Sequence, residues 1–298
     1  MTEMSDSLET AVIPVAGFGT RFLPVTRAVP KPLLPVVDTP LVHRTVQEAV
    51  EAGFRRIVLV MSPGMEPIAD YFSPKPALEA ALEQSGKDDL LARQHAISRL
   101  AHVTVVVQHE ARGLGHAVLL ARDEVGDRPF AVFLPDEILW GEKSAIQQAI
   151  DVWRRVGGNV IGVVEVPDQA VPALGIVAGE PVSPLDKRAW RVTGMVEKPP
   201  LDEAPSNLAI VGPYILTPAI FDSIESTAPG AVGEIQITDA IAARISAEGV
   251  HACILHGTRI DAGTPAGMLA ANIFEARRNG SLYERAMQIL EDGEKARQ

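Results

Sequence analysis

Apolar and polar positions follow two distinct patterns along the chain. Short apolar runs rich in β-branched residues predict strands at 11–16, 56–61, 103–107, 130–134, 160–166 and 250–255. Apolar positions that recur every three or four residues predict helices at 42–53, 116–124, 144–156, 237–248, 264–279 and 281–295, and a proline-interrupted helical segment at 63–102. Ser144 is the expected N-cap of its helix. This alternation predicts an α/β fold with a Rossmann-like mixed, mostly parallel sheet flanked by helices.

The region from 174 to 211 differs from the rest, because its β-rich segments have no long helices between them. It predicts an antiparallel extension of the sheet or a small lobe, after which 206–216 returns to the core. No internal repeat or low-complexity linker divides the chain. We therefore expect a single domain over 1–298, in which 264–298 forms a C-terminal helical appendage.

Composition excludes several classes of protein. The 298 residues carry a net charge of −11, without the basic excess that binding to nucleic acid requires. The single cysteine, Cys253, excludes an intramolecular disulfide framework, and its apolar surroundings indicate an inert buried thiol. Residues 1–10 lack the pattern of a signal peptide, and no apolar run approaches the roughly 18 residues of a membrane span. We expect a cytoplasmic protein with no nucleic acid or membrane partner.

A glycine-rich loop follows the first predicted strand and carries the first candidate chemistry. Gly17 and Gly19 let backbone N–H groups approach phosphate oxygens, and Arg21 adds a cation. The third glycine of a dinucleotide-binding fingerprint would fall on Phe22, and the Gly-Lys-Ser/Thr of a P-loop does not follow. Lys31, between two prolines, can direct a second cation to the same phosphates. The loop therefore predicts a phosphate site of another kind.

Separated blocks in the rest of the chain accompany this loop. They are GFGTRFLP at 17–24, AVPKPLLP at 28–35, QHEARGLGHA at 108–117, LPDEIL at 134–139, VEKP at 196–199, SNLAIVG at 206–212 and GEIQITD at 233–239. In this order they resemble the sugar-nucleotide pyrophosphorylases, specifically the bacterial UTP–glucose-1-phosphate uridylyltransferases. The resemblance extends over almost the whole chain.

The resemblance implies roles for individual residues. Uracil would lie against Gln108, Gly113 and the backbone near Ala16, and Arg21 and Lys31 would hold the β- and γ-phosphates. The full set of implied nucleotide-binding residues is Ala16, Gly17, Gly19, Thr20, Gln108 and Gly113, and the implied catalytic residues are Arg21, Lys31 and Lys198.

The same resemblance implies a sugar site and a magnesium site. Glu197 would accept hydrogen bonds from hexose hydroxyls beside Gly175 and Asn207, and Lys198 would hold the sugar phosphate. Mg²⁺ would bind Asp136 and Asp261, since a magnesium ion on phosphates needs only one or two protein carboxylates. Asp136 also follows an apolar strand, where ligands of open α/β sheets gather.

The expected reaction is uridylyl transfer from UTP to glucose 1-phosphate, with Mg²⁺ as cofactor. Pro32 and Leu174 depart from the family pattern, so dTTP or another hexose 1-phosphate is an alternative substrate. A non-catalytic nucleotide-sugar sensor is a second alternative, and a nicotinamide oxidoreductase is disfavoured by Phe22. We expect structural roles for His109 and His116. The resemblance also implies a homodimer or homotetramer.

Overall fold

The computed structural model describes residues 8–230 and 233–295. The strands are β1 (Thr10–Pro14), β2 (Pro35–Val36), β3 (Thr39–Pro40), β4 (Arg56–Met61), β5 (His102–Val107), β6 (Phe130–Val132), β7 (Glu137–Trp140), β8 (Asn159–Glu165), β9 (Gly175–Ser183), β10 (Asp186–Glu197), β11 (Leu208–Leu216), β12 (Val250–Ile254) and β13 (Thr258–Asp261). The α-helices are α1 (Leu41–Glu51), α2 (Glu66–Asp70), α3 (Pro76–Gln84), α4 (Asp88–Ser98), α5 (Leu114–Leu120), α6 (Arg122–Val125), α7 (Ala145–Val156), α8 (Ile220–Ser226), α9 (Ile237–Ala242), α10 (Pro265–Arg278) and α11 (Gly280–Lys295). The expectation of no signal peptide at 1–10 and the two ends of the predicted domain fall partly outside the described residues.

The largest sheet of the described residues has nine strands in the order β5-β4-β1-β6-β11-β8-β12-β10-β9. The strands β5, β4, β1 and β6 pair in parallel, as do β8 and β12. The central strand β11 is antiparallel to both of its neighbours, and β9 and β10 form the antiparallel extension that the sequence predicts. The mixed α/β fold is confirmed.

Hydrophobic layers cover both faces of the sheet, and β1 shows why its residues after Thr10 are apolar. Ile13 contacts the layer that contains Val46 of α1 and Ile146 of α7. Val12 points to the opposite layer, which contains Val118 of α5 and Phe221 of α8. Successive strand residues face opposite sides, so in a strand covered on both sides successive residues such as Val12 and Ile13 both face apolar layers. The carboxyl edge of this buried strand is therefore a rigid base for the loop that follows.

Local signals set the boundaries of α7. The Ser144 side chain accepts a hydrogen bond from the Gln147 N–H at 3.3 Å, and the Gln147 side chain accepts from the Ser144 N–H. This capping box confirms the predicted N-cap. Gly157 follows the helix with φ of 67°, a conformation that glycine adopts without strain.

The helix predicted over 237–248 is wrong in length, since α9 ends at Ala242 and turns continue to 248. The backbone N–H of Arg244 already bonds three residues back, as in a tight turn. Glu248 explains the change, because its carboxylate accepts hydrogen bonds from Thr217 at 2.7 Å and from Asn159 at 3.3 Å. These contacts with distant residues outweigh the local helical pattern.

Two further expectations concern the single cysteine and membrane crossing. Cys253 is buried, as predicted, and burial raises the pKa of its thiol to about 12, which favours the protonated, unreactive form. Within residues 8–230 and 233–295, none of the helices has the length and apolar character that crossing a membrane requires.

Candidate active site

A cavity of about 280 Å³ opens where β1, β5 and β6 end. Parallel strands present their carboxyl ends at one edge, which is where open α/β sheets bind ligands. The predicted residues that line it are Ala16, Gly17, Lys31, Gln108, Gly113 and Asp136. Residues from four of the sequence blocks therefore meet in one cavity, whereas Gly19 and Thr20 lie outside its lining.

The loop after β1 folds back on itself through short 3₁₀ turns, including Thr20–Phe22 and Lys31–Leu33. Gly19 has φ of 62°, and a Cβ placed there would lie 2.8 Å from the Cβ of Lys31. Only glycine allows this approach, so Gly19 fixes the backbone beside Lys31. Thr20 and Arg21 are exposed, and Arg21 forms no ion pair within the described residues.

The two predicted metal ligands converge at Gly263. A Cβ at this glycine would lie 2.6 Å from Oδ2 of Asp136 and 2.8 Å from Oδ1 of Asp261, so any larger residue would fill the space between the carboxylates. Lys31 Nζ lies 2.6 Å from Asp136 Oδ2. The donor set fits a magnesium ion that completes its coordination with phosphate oxygens and water. In the described part of the chain, no cluster of three or more His, Cys, Asp or Glu side chains could hold a metal alone.

A two-stranded ribbon carries both aspartates and was not predicted. Strands β7 and β13 are antiparallel, with Asp261 opposite Glu137, and the Ala262 N–H donates to the Asp136 carbonyl at 2.7 Å. Arg259 donates two hydrogen bonds to the Glu137 carboxylate, from Nε at 2.7 Å and from Nη2 at 2.6 Å. Such a bidentate pair fixes the ribbon's register immediately beside the two aspartates.

The predicted sugar residues Gly175 and Glu197 are cross-strand partners in β9 and β10. A Cβ at Gly175 would lie 3.0 Å from Oε2 of Glu197, so glycine keeps this carboxylate accessible. Lys198 Nζ lies 3.3 Å from Glu197 Oε1, and φ of Lys198 is 49°, which is uncommon for a residue other than glycine. Thr238 was not predicted. Its hydroxyl donates to Glu197 Oε2 at 3.0 Å.

Asn207 and Leu174 lie at the margin of this group. The pairing of Ala209 with Ile176 brings the start of β11 beside the start of β9, so the exposed Asn207 lies near the predicted sugar residues. The Leu174 side chain packs against the core, and its carbonyl accepts from the Lys198 N–H at 3.1 Å. The departure from the family pattern at 174 therefore leaves this backbone contact intact.

Residues 233–238 connect the cavity to the sugar group. Ile235 bonds through its backbone to Arg112 at 2.8 Å and to Gly115 at 2.9 Å. Glu234 lines the cavity beside Gly113, and Thr238 contacts Glu197. The conspicuous GEIQITD block is the signal in the sequence that could have identified this connection.

Gln108 is the buried polar side chain of the cavity, with 4% of its surface exposed. Its Nε2 donates to the Gly113 carbonyl at 3.3 Å and lies 2.9 Å from Nδ1 of His116. Burial lowers the pKa of His116, and the charge of Arg112 acts in the same direction, which favours the neutral ring that can accept this bond. Both amide hydrogens are used inside the protein, so Oε1 is the atom left for a ligand.

The family model described as Nucleotidyl transferase matches residues 10–278. The chain therefore belongs to the nucleotidyl transferase family. It is 42% identical to the UTP–glucose-1-phosphate uridylyltransferase of Staphylococcus haemolyticus over 96% of this chain and 98% of that protein. It is 41% identical to the protein of the same name from Bacillus subtilis, over 94% of this chain and 95% of that protein. Within the family, the chain belongs with the UTP–glucose-1-phosphate uridylyltransferases.

Solved structures agree with these relatives. A UTP-bound UGPase from Acinetobacter baumannii has 38% sequence identity and a TM-score of 0.86, and the match covers 95% of this chain and 99% of that one. An apo UDP-glucose pyrophosphorylase has 33% identity and a TM-score of 0.86, with coverage of 92% and 100%. The likeness therefore covers nearly the whole length of the chain.

Proposed function

We propose that the protein transfers the uridylyl group of UTP to glucose 1-phosphate and releases UDP-glucose and pyrophosphate. The observation that carries this proposal is the convergence of Lys31, Asp136 and Asp261 at one end of a cavity that contains Gln108 and Gly113. Cations and carboxylates at the strand ends suit a magnesium triphosphate, and the buried amide suits a base.

The polar groups of the cavity match the edge of uracil. That edge presents an N–H between two carbonyl oxygens, so it needs an acceptor between two donors. Gln108 offers Oε1 as the acceptor. Among the described residues, no acceptor pairs with the backbone N–H groups of Gly113, Ala16 or Gly17, which line the cavity as donors. A site built on such bonds rejects a base that leaves them unpaired.

Alignment and charge compensation are the protein's main tasks in this reaction. A phosphate oxygen of glucose 1-phosphate is anionic at neutral pH, so it attacks the α-phosphorus of UTP without a base to remove a proton. Lys198 holds the sugar phosphate, while Arg21 and Lys31 hold the β- and γ-phosphates that leave as pyrophosphate. Gly19 and Thr20 support the loop that presents these two cations.

Asp136 and Asp261 would hold Mg²⁺ through carboxylate oxygens that both lie close to Gly263. A bound Mg²⁺ would supply positive charge that offsets the charge developing on the leaving group. Glu197 accepts from the hexose hydroxyls, and Gly175 and Asn207 shape the space beside it. The cytoplasmic location and the homodimer or homotetramer belong to the same proposal, and sedimentation of the purified protein tests the second.

A matrix of nucleoside triphosphates against sugar 1-phosphates tests the function, with pyrophosphate release as the signal. We expect the highest kcat/KM for UTP with glucose 1-phosphate in the presence of Mg²⁺. Release of pyrophosphate with no pair would contradict an enzyme and favour a nucleotide-sugar sensor. A higher kcat/KM for another hexose 1-phosphate would correct the sugar and leave the reaction type in place.

A further inference from the structure

The side-chain amide of Gln108 has only one orientation that satisfies its surroundings. The Gly113 carbonyl can only accept, so the group that faces it must be the NH₂. The second hydrogen of that NH₂ points to Nδ1 of His116, and this 2.9 Å contact is shorter than the 3.3 Å contact with Gly113. For Nδ1 to accept, the ring must be neutral with its proton on Nε2. His116 therefore supplies the closer of the two acceptors that hold the amide.

We propose that His116 is a positioning residue that keeps Oε1 of Gln108 directed into the cavity and thereby makes the site prefer uracil over cytosine. The inference rests on the proposed function, because it concerns how the same cavity selects its nucleotide. His116 acts through Gln108 and does not itself line the cavity. It follows Gly113 by three residues on the first turn of α5, so the loop and the helix set its distance from the amide.

The chemistry of the two bases explains the preference. Uracil presents N3–H to Oε1, and a hydrogen bond forms. Cytosine presents an unprotonated N3 at that position, so two acceptors would face each other, and its amino group would meet a backbone N–H. If the amide rotated by half a turn, Nε2 would face the cavity and would donate to N3 of cytosine. Loss of the His116 acceptor removes the main bond that opposes this rotation.

Two substitutions at His116 separate the acceptor from the ring. In His116→Leu the side chain fills similar space but accepts nothing, whereas the Oδ1 of His116→Asn replaces the Nδ1 acceptor. We expect His116→Leu to lower the ratio of kcat/KM for UTP over CTP at least tenfold, through a higher KM for UTP and a lower KM for CTP. The kcat with UTP should change less than threefold, because the base lies away from the reacting phosphorus. His116→Asn should keep the ratio within threefold of the unsubstituted protein.

The effect must also depend on Gln108. In a Gln108→Ala background, we expect His116→Leu to leave the UTP/CTP ratio unchanged, since the group it positions is gone. An equal effect of His116→Leu in both backgrounds would overturn the proposal. An unchanged ratio in His116→Leu alone, with the unsubstituted protein active, would also overturn it but would leave the proposed function standing. Absence of UDP-glucose formation by the unsubstituted protein would instead contradict the proposed function.

A measurement on the unsubstituted protein tests the proposal even if a variant fails to fold. Nitrogen-15 NMR of the unsubstituted protein reports which ring nitrogen of His116 carries the proton. We expect a proton on Nε2 and an unprotonated Nδ1 at pH 7.5, with and without UTP. A proton on Nδ1 in the UTP complex would contradict the proposal, because that nitrogen could no longer accept from Gln108.

Discussion

Asp136 lies where the phosphate-binding loop and the ribbon β7–β13 meet. We expect Asp136→Asn to reduce kcat by at least about 10²–10³, as removal of one electrostatic stabiliser does in other enzymes. The measurement is pyrophosphate release at saturating Mg²⁺. Asp151→Asn is the matched control, because Asp151 also pairs with a lysine at 2.5 Å and has similar exposure but lies on α7. Near-normal turnover of Asp136→Asn would reject Asp136 as the principal metal ligand.

Lys31 and Lys198 are assigned to opposite ends of the reaction. Lys31→Ala should weaken binding of UTP at least tenfold, about 1.4 kcal/mol, with little change in the KM for glucose 1-phosphate. Lys198→Ala should raise the KM for glucose 1-phosphate and change the binding of UTP little. Calorimetric titration of UTP alone and steady-state variation of the sugar phosphate distinguish the two. Lys143→Ala, which removes an exposed lysine from another ion pair, is the control. A loss of UTP affinity in Lys198→Ala with normal sugar dependence would contradict the assignment.

At the scale of elements, Glu48 of α1 couples the stability of the helix layer to pH. Its Oε1 accepts from the Ile146 N–H at the start of α7, at 3.2 Å, and burial raises its pKa from the usual 4.5. A carboxyl group whose pKa is raised by folding stabilises the fold when protonated, and this contribution is lost as pH rises through the raised value. Glu48→Gln removes the charge but keeps the acceptor.

We therefore expect Glu48→Gln to be more stable than the unsubstituted protein at pH 8, and the difference to shrink towards pH 4.5. Urea unfolding of both proteins at a series of pH values measures this difference in the free energy of unfolding. Glu83→Gln, at an exposed position of α3, is the control. A difference between Glu48→Gln and the unsubstituted protein that does not vary with pH would show that burial does not raise the pKa of Glu48.

Elements with local signals could be predicted from the sequence, and those that depend on distant contacts could not. Ser144 and Gln147 lie three residues apart, so their capping box is visible in the sequence. The end of α9 depends on Thr217 and Asn159, which lie far from it in the chain. Arg259 and Glu137 are separated by 122 positions, so no local pattern indicates their bond. The resemblance supplied site residues only where a block had a known role, and Thr238 was missed for that reason.

At the scale of the whole molecule, the cavity decides between UTP and dTTP. Uracil and thymine share the hydrogen-bonding edge that Gln108 and Gly113 address, so discrimination depends on the thymine methyl group and the ribose 2′-hydroxyl. We expect UTP to have the higher kcat/KM, because Pro32 is buried at the cavity wall and limits the space there. Steady-state kinetics of UTP and of dTTP, each with glucose 1-phosphate as the second substrate, measure the two kcat/KM values. A tenfold preference for dTTP, about 1.4 kcal/mol, would overturn the uridylyl assignment but leave nucleotidyl transfer in place.

The contact between Lys31 and Asp136, 2.6 Å long, has a thermodynamic consequence. One ammonium group serves as the counter-ion of a carboxylate that a divalent cation would also use, so the two cations compete for Asp136. A triphosphate gives Lys31 a different anionic partner and frees the carboxylate. Metal and nucleotide should then be heterotropic activators of each other, raising each other's affinity by the same factor. Titration of Mn²⁺ with and without UTP measures this factor, and Lys31→Met should bring it towards the value set by metal–phosphate contact alone.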